Sequence, residues 1–223
     1  MKKTEQRHRG DWEKLATFLL LQRSPKSHLF DCFQGCSKLF PAPHAQTLGL
    51  ATMIIKHTDT LVRETLTSFV EDVFDCQWRG REHEAISRYV IGHLVSKVRH
   101  SPILKEATQI CINGAVPGVP KQNPKGRVNK DLQIWPLEAQ TTWNLAWRPD
   151  YVPICIQEWK VSTPRKRCRP KEIQHDVDWL CAFTAIHITC IGYSVVFDLT
   201  GRGSRLSVTR ILSGDAQCDW LKL

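Results

Sequence analysis

The chain has 223 residues, 42% of them hydrophobic and eight of them Trp, which is enough apolar surface for a real core and excludes global disorder. Lys and Arg number 31 against 22 Asp and Glu, a formal charge of +9 that favours a polyanionic partner, nucleic acid before membrane. The nine Cys are odd in number and contain no C-x-x-C pair, so reduced thiols fit better than a disulfide scaffold.

In chain order, "MKKTEQRHRGDWEKLATFLLLQRS" joins a basic start to the apolar run "LATFLLL". Asp11, Glu13 and Lys14 precede that run and no small-residue cleavage site follows it, which argues against a signal peptide. The run is also far too short to span a bilayer. It predicts an amphipathic helix in a cytoplasmic protein, or a nuclear one in a eukaryote, with no membrane partner. His28, Cys32 and Cys36 repeat every fourth residue and could line one helical face, but no second ligand pair completes a zinc site. "GCSKLFPAPHAQTLG" carries the Gly and Pro that break a helix, and "TDTLVRETLTSFVEDVF" then predicts one capped by Thr58 or Asp59. "REHEAISRYVIGHLVSKV" predicts another. The expected organisation is a helical N-terminal region over residues 1–78 and a core over 79–223.

The texture changes at Thr108. "TQICINGAV" predicts a short strand, "PGVPKQNPKGRVN" a loop, and "DLQIW" a second strand. After the connection "EAQTTWNLAWRPD", the apolar stretch "YVPICIQEWKV" predicts a third. The basic loop "STPRKRCRPK" leads into a helix, "EIQHDVDWLCAFTAI", and "CIGYSVVFDLT" and "RLSVTRIL" predict two final strands. Cys155, Cys181 and Cys190 lie in apolar runs and are expected to behave as small core residues. The expected fold class is α/β: a central mixed sheet with helices on both faces, which explains a third strand that is apolar throughout.

That third strand ends in Glu158, Trp159 and Lys160, and the acid and the amine share one side of it. Neither is expected to be buried without a partner. Asp131 opens the preceding predicted strand. If the two strands are neighbours, two carboxylates and a lysine converge, and like charges in one site call for a cation between them. Mg²⁺ accepts hard oxygen ligands, keeps several waters and is commonly held by one or two carboxylates. A phosphodiester is the substrate such a site suits.

"KDLQIW" followed by "ICIQEWKV" resembles the PD-(D/E)XK nuclease superfamily, the restriction-endonuclease-like fold, and the resemblance covers about residues 79–212. It implies a Mg²⁺-dependent DNA endonuclease or exonuclease, with Mn²⁺ able to substitute and RNA left open as a substrate. Asp131 and Glu158 would hold the metal, and Lys160 would assist the attacking water or stabilise the transition state. A helix ahead of the sheet often adds a Glu, here Glu82, with Glu84 the alternative. The family's Pro before the Asp is absent, since Lys130 stands there, and "PD" at Pro149 and Asp150 makes Asp150 the alternative ligand. Arg165, Lys166, Arg167, Arg169 and Lys171 would track phosphates, and Gln174 resembles the helix Gln of some recombination-type exonucleases. Double-strand cutting would favour a homodimer. The competing expectation is a non-catalytic nucleic-acid-binding protein with the same sheet and a decayed site.

Overall fold

The computed structural model describes residues 44–120, 122, 126–201 and 205–223. The expected amphipathic helix near residue 15 and the His28, Cys32 and Cys36 series lie outside these residues. Two compact units divide the chain, residues 1–53 and residues 54–223. The described part of the first unit is helical. The second holds the sheet, and it takes in residues 54–78, which the sequence predicts as part of a separate N-terminal region.

The first helix, α1, runs from His44 to Asp75 without interruption. Thr58 and Asp59 are therefore interior residues and not caps. Thr58 Oγ1 donates back to the Ile54 carbonyl at 2.8 Å, and Asp59 accepts from Arg210 Nε at 2.8 Å and from Tyr193 Oη at 2.7 Å. A single interior Gly, Gly49, costs a helix only about 1 kcal/mol against Ala, too little to stop it. The helix ends at a Schellman turn, with Gln77 at φ 50°. The Trp78 amide donates to the Val73 carbonyl at 3.0 Å and the Gln77 amide to Phe74 at 3.3 Å. Helix α2, Glu82–Tyr89, passes into a π-turn over Val90–Leu94 and a 3-10 turn over Val95–Lys97, so the helical run covers nearly all of the expected stretch.

Six strands form one mixed sheet in the order β1-β2-β3-β4-β5-β6. These are β1 (Ile110–Pro117), β2 (Arg127–Ile134), β3 (Cys155–Ser162), β4 (Ile191–Asp198), β5 (Leu206–Leu212) and β6 (Asp215–Lys222). Only β3 and β4 are parallel, and the remaining neighbours are antiparallel. The parallel pair needs a crossover, which helix α3 (Pro170–Ile186) supplies, with Pro at its first turn.

The sheet is covered on both faces, as the apolar β3 requires. On one face Trp159 meets Phe69 and Tyr89 of α1 and α2, at ring separations of 5.7 and 5.1 Å. The Trp159 indole donates to Gln157 Oε1 at 3.1 Å, and Tyr89 shares a 2.7 Å hydrogen bond with Thr65. On the other face Ile156 and Ile211 pack under Trp179, Leu180 and Phe183 of α3. Gly192 permits this approach, since a Cβ there would lie 3.1 Å from Leu180 Cδ2. Cys155 and Cys190 are core residues, whereas Cys181 is only partly buried.

Candidate functional site

The β2–β3 ladder joins Ile134 to Cys155, Gln133 to Ile156 and Leu132 to Gln157, and there it stops. Asp131 and Glu158 would be the next pair. Instead the strands part, and Asp131 Oδ2 accepts the Trp159 amide at 2.8 Å. On its other side, the register with β1 passes from Ile112–Leu132 to Gly114–Lys130, leaving Asp131 opposite Asn113. Asn113 has φ 54°, a left-handed backbone that interrupts regular pairing. The irregularity frees the Asp131 carboxylate to bridge to β3 beside Glu158.

Alternation along β3 places Glu158 and Lys160 on the same face as Ile156, under α3. Lys160 Nζ pairs with Asp176 Oδ2 of α3 at 2.9 Å. Glu158 is 5% exposed and is ion-paired to Lys130, itself 6% exposed. The Lys130 ammonium also sits 3.7 Å from the centroid of the Trp179 ring, a cation–π contact that partly replaces lost hydration.

Burial pushes the Glu158 carboxyl up to about 7; Lys130 opposes the rise, while the charges of Asp131 and Asp176 add to it. Burial likewise raises Glu82, with Lys160 opposing and Asp131 adding. Burial works against the Lys160 ammonium, but its bond to Asp176 and the fields of Asp176, Glu82 and Asp131 together hold it above its ordinary range. Glu82, Asp131, Glu158 and Asp176 thus share one electrostatic site with Lys130 and Lys160. Within this group the acids outnumber the two buried or half-buried ammonium groups, and the exposed Lys166 adds a further positive field at Glu82.

Several expected residues stand elsewhere or in a different role. Asp131 does not open its strand but is the fifth residue of β2, and Glu158 and Lys160 lie within β3, not at its end. Glu84 is exposed and accepts the Arg81 amide at 2.5 Å, so it caps α2. Asp150 lies in the connection before β3, beyond the Ile134–Cys155 end of the ladder and away from Glu158. It accepts a hydrogen bond from Asn144 Nδ2. Gln174 is exposed and bonded to Asp178 at 2.8 Å. Arg165, Lys166, Arg167, Arg169 and Lys171 are all exposed, and the field of Lys166 reaches Glu82.

Two further members of the site, Lys130 and Asp176, do not stand out in the sequence. Lys130 shows there only as a residue in place of Pro. Asp176 is one turn ahead of Trp179 and Leu180, a spacing that puts it at the margin of α3's buried face. That spacing is the signal that could find it.

Among the described residues, no group of three or more His, Cys, Asp or Glu is arranged to hold a metal ion. No helix among them is long and apolar enough to cross a membrane. No family model, curated protein or solved structure matches the chain.

Proposed function

We propose that this protein is a Mg²⁺-dependent nuclease that hydrolyses phosphodiester bonds of DNA on a restriction-endonuclease-like scaffold. The observation that carries the reading is that Asp131 bonds the Trp159 amide, between Glu158 and Lys160, where β2 and β3 part, with its charge acting on both of them. The order of helix, three antiparallel strands, crossover helix and parallel strand supports it.

The residues present fit a hard cation. Asp131 spends one oxygen on the Trp159 amide and keeps the other. The buried Glu158 is crowded by like charges. Two such carboxylates suffice for Mg²⁺, which retains several waters of its own. When bound, the ion would lower the pKa of a coordinated water and offset charge on the phosphate. Asp131 and Glu158 would orient that site, held by the strand backbone on either side. Lys160 would donate to the water or to a phosphate oxygen as charge builds there, an interaction strengthened in the transition state. Asp176 would aim the Lys160 ammonium, and Glu82 would accept hydrogen bonds from waters on the open side.

If Asp131 and Glu158 share the ion, Mg²⁺ or Mn²⁺ stabilises the fold by linkage, by about 2.7 kcal/mol at a hundredfold excess over Kd, and raises the thermal midpoint accordingly. Calorimetry on the wild type and Asp131→Asn checks this, and an equal response in both removes Asp131 from the site. The exposed loop gives a second expected result. Replacing Arg165, Lys166 and Arg167 with Ala weakens DNA binding and flattens log affinity against log salt, by roughly 0.7–0.9 for each phosphate no longer neutralised. Titrations across salt concentrations measure the slope, and no change would leave the loop a solvated face.

One observation favours the non-catalytic reading: Lys130–Glu158 and Lys160–Asp176 neutralise much of the site without a metal. Plasmid nicking with Mg²⁺, Mn²⁺ and EDTA separates the two. Metal-dependent nicking supports the nuclease, and binding without nicking supports the alternative.

A further inference from the structure

A cavity of about 410 Å³ opens between the turn that ends α1 and the loop that follows β3. Its walls include Phe74, Trp78, Arg79 and Gly80 on one side and Thr163 and Pro164 on the other. The volume lies within the range of about 300–1,000 Å³ usual for small-ligand sites. None of Glu82, Asp131, Glu158 and Lys160 lines it.

Trp78 is held in place by the local fold. The Schellman turn delivers it directly after α1. Its ring stacks on Phe197 at 6.4 Å and 26°. Its edge lies against the Gly80 backbone so closely that a Cβ there would come within 2.2 Å of Trp78 Cζ2. The indole remains partly exposed, and with Phe74 it forms an aromatic wall. The rim is cationic: Arg79 lines the cavity, and the Arg205 guanidinium lies 3.8 Å from the Phe74 ring centroid. Thr163 closes a turn with Lys166, whose amide donates to Thr163 Oγ1 at 3.0 Å, so the turn carrying Arg165 and Lys166 sits on the same rim. Among the nearby carboxylates, Glu84 accepts the Arg81 amide and Asp198 the Thr200 amide at 2.7 Å, while Asp75, at the end of α1, is exposed and does not line the cavity.

Both walls run into the candidate site. Gly80 is two residues before Glu82, and Thr163 is three after Lys160, roughly 10 Å along an extended chain. That spans two to three nucleotides at the stacked spacing of about 3.4 Å per strand.

We infer that this cavity receives an unpaired base of the nucleic-acid strand, seated against Trp78 and Phe74, with its phosphates held by Arg79 and the Arg165–Lys166 turn. The inference rests on the nuclease reading for its substrate class and makes single-stranded or locally opened DNA the preferred form. Every base offers a π-face, so the site is tolerant of sequence.

The test is binding in EDTA, where no cleavage intervenes. The probes are a thymidine oligomer, a fully abasic oligomer with the same number of phosphates, and a duplex. Wild type is expected to bind the thymidine oligomer about 5- to 100-fold more tightly than the abasic one, and more tightly than the duplex. Trp78→Ala and Gly80→Ala erase that difference while keeping affinity for the abasic oligomer, whereas Trp78→Phe retains most of it. Equal binding of both oligomers by wild type, or an equal loss on both in Trp78→Ala, overturns the inference. The wild-type comparison decides the matter even if a variant fails to fold. Base-dependent binding by a protein that cuts nothing in Mg²⁺ or Mn²⁺ refutes the nuclease reading alone. Cutting without base dependence refutes the cavity alone.

Discussion

Lys160→Ala and Glu158→Gln are each expected to lower DNA cleavage by about two to three orders of magnitude, the rate equivalent of roughly 3–4 kcal/mol. Glu158→Gln keeps the side-chain shape and removes the charge a hard cation needs. Lys160→Ala removes an ammonium that Asp176 holds at 2.9 Å, aimed at the side of the site where phosphate charge would build. DNA binding is expected to survive in both, because the proposed reading assigns it to Arg165, Lys166 and Arg167, which are exposed. The measurement is cleavage and binding side by side on purified proteins with matched circular dichroism. A variant that cuts like wild type would reduce Glu158 and Lys160 to structural ion pairs. Asp176→Asn separates aiming from chemistry: it lowers the rate less than Lys160→Ala does, since the ammonium remains.

Much of the sheet is legible in the sequence because β3 and β4 are buried on both faces and so carry continuous apolar runs. The sixth strand is not. Its sequence, "DAQCDWLK", carries only a weak alternation of Ala216, Cys218 and Trp220 with polar residues and is exposed over most of its length, because this edge strand is held largely by backbone pairing with β5. The length of α1 is hidden for a related reason. Thr58 and Asp59 read as caps in the sequence, and only their folded partners, the Ile54 carbonyl and Arg210 of β5, show them to be interior residues.

At the candidate site, the motif resemblance picks out Asp131, Glu158 and Lys160, and β2 and β3 are neighbours, as that reading needs. It does not locate Asp176, which arrives from a helix after a crossover. Nor does it reveal Lys130, whose role depends on the irregular backbone opposite Asn113. Perfect alternation would turn Lys130 to the opposite face from Asp131, yet its ammonium reaches Glu158 and Trp179. The pairing break at Asp131 is a backbone event, and residue types alone do not announce it.

Lys130→Met is expected to cost about 3–5 kcal/mol of stability at alkaline pH, the usual consequence of leaving one buried charge without its partner. The loss depends on pH in a defined direction. Burial raises Glu158 in the folded protein to about 7 from an ordinary value of 4.5. Stability from the protonated form is therefore fully present below about 4.5 and is lost as pH rises through 7, by about 3 kcal/mol in the wild type. Removing Lys130 removes the charge that opposes this rise, so the variant falls behind wild type mainly above pH 7 and least near pH 5. Urea denaturation in EDTA across that range measures the difference. Glu158→Gln in the Lys130→Met background restores most of the loss, because no carboxylate is then left unpaired. A loss that is the same at every pH would mean that Lys130 matters through its packing on Trp179 and not through its charge. The same variant bears on the metal. With the Lys130 ammonium gone, Lys160 stays paired to Asp176, and a divalent ion would take over the offset of Glu158 beside Asp131. Mg²⁺ should then stabilise Lys130→Met more than wild type, and the excess should vanish in the double variant.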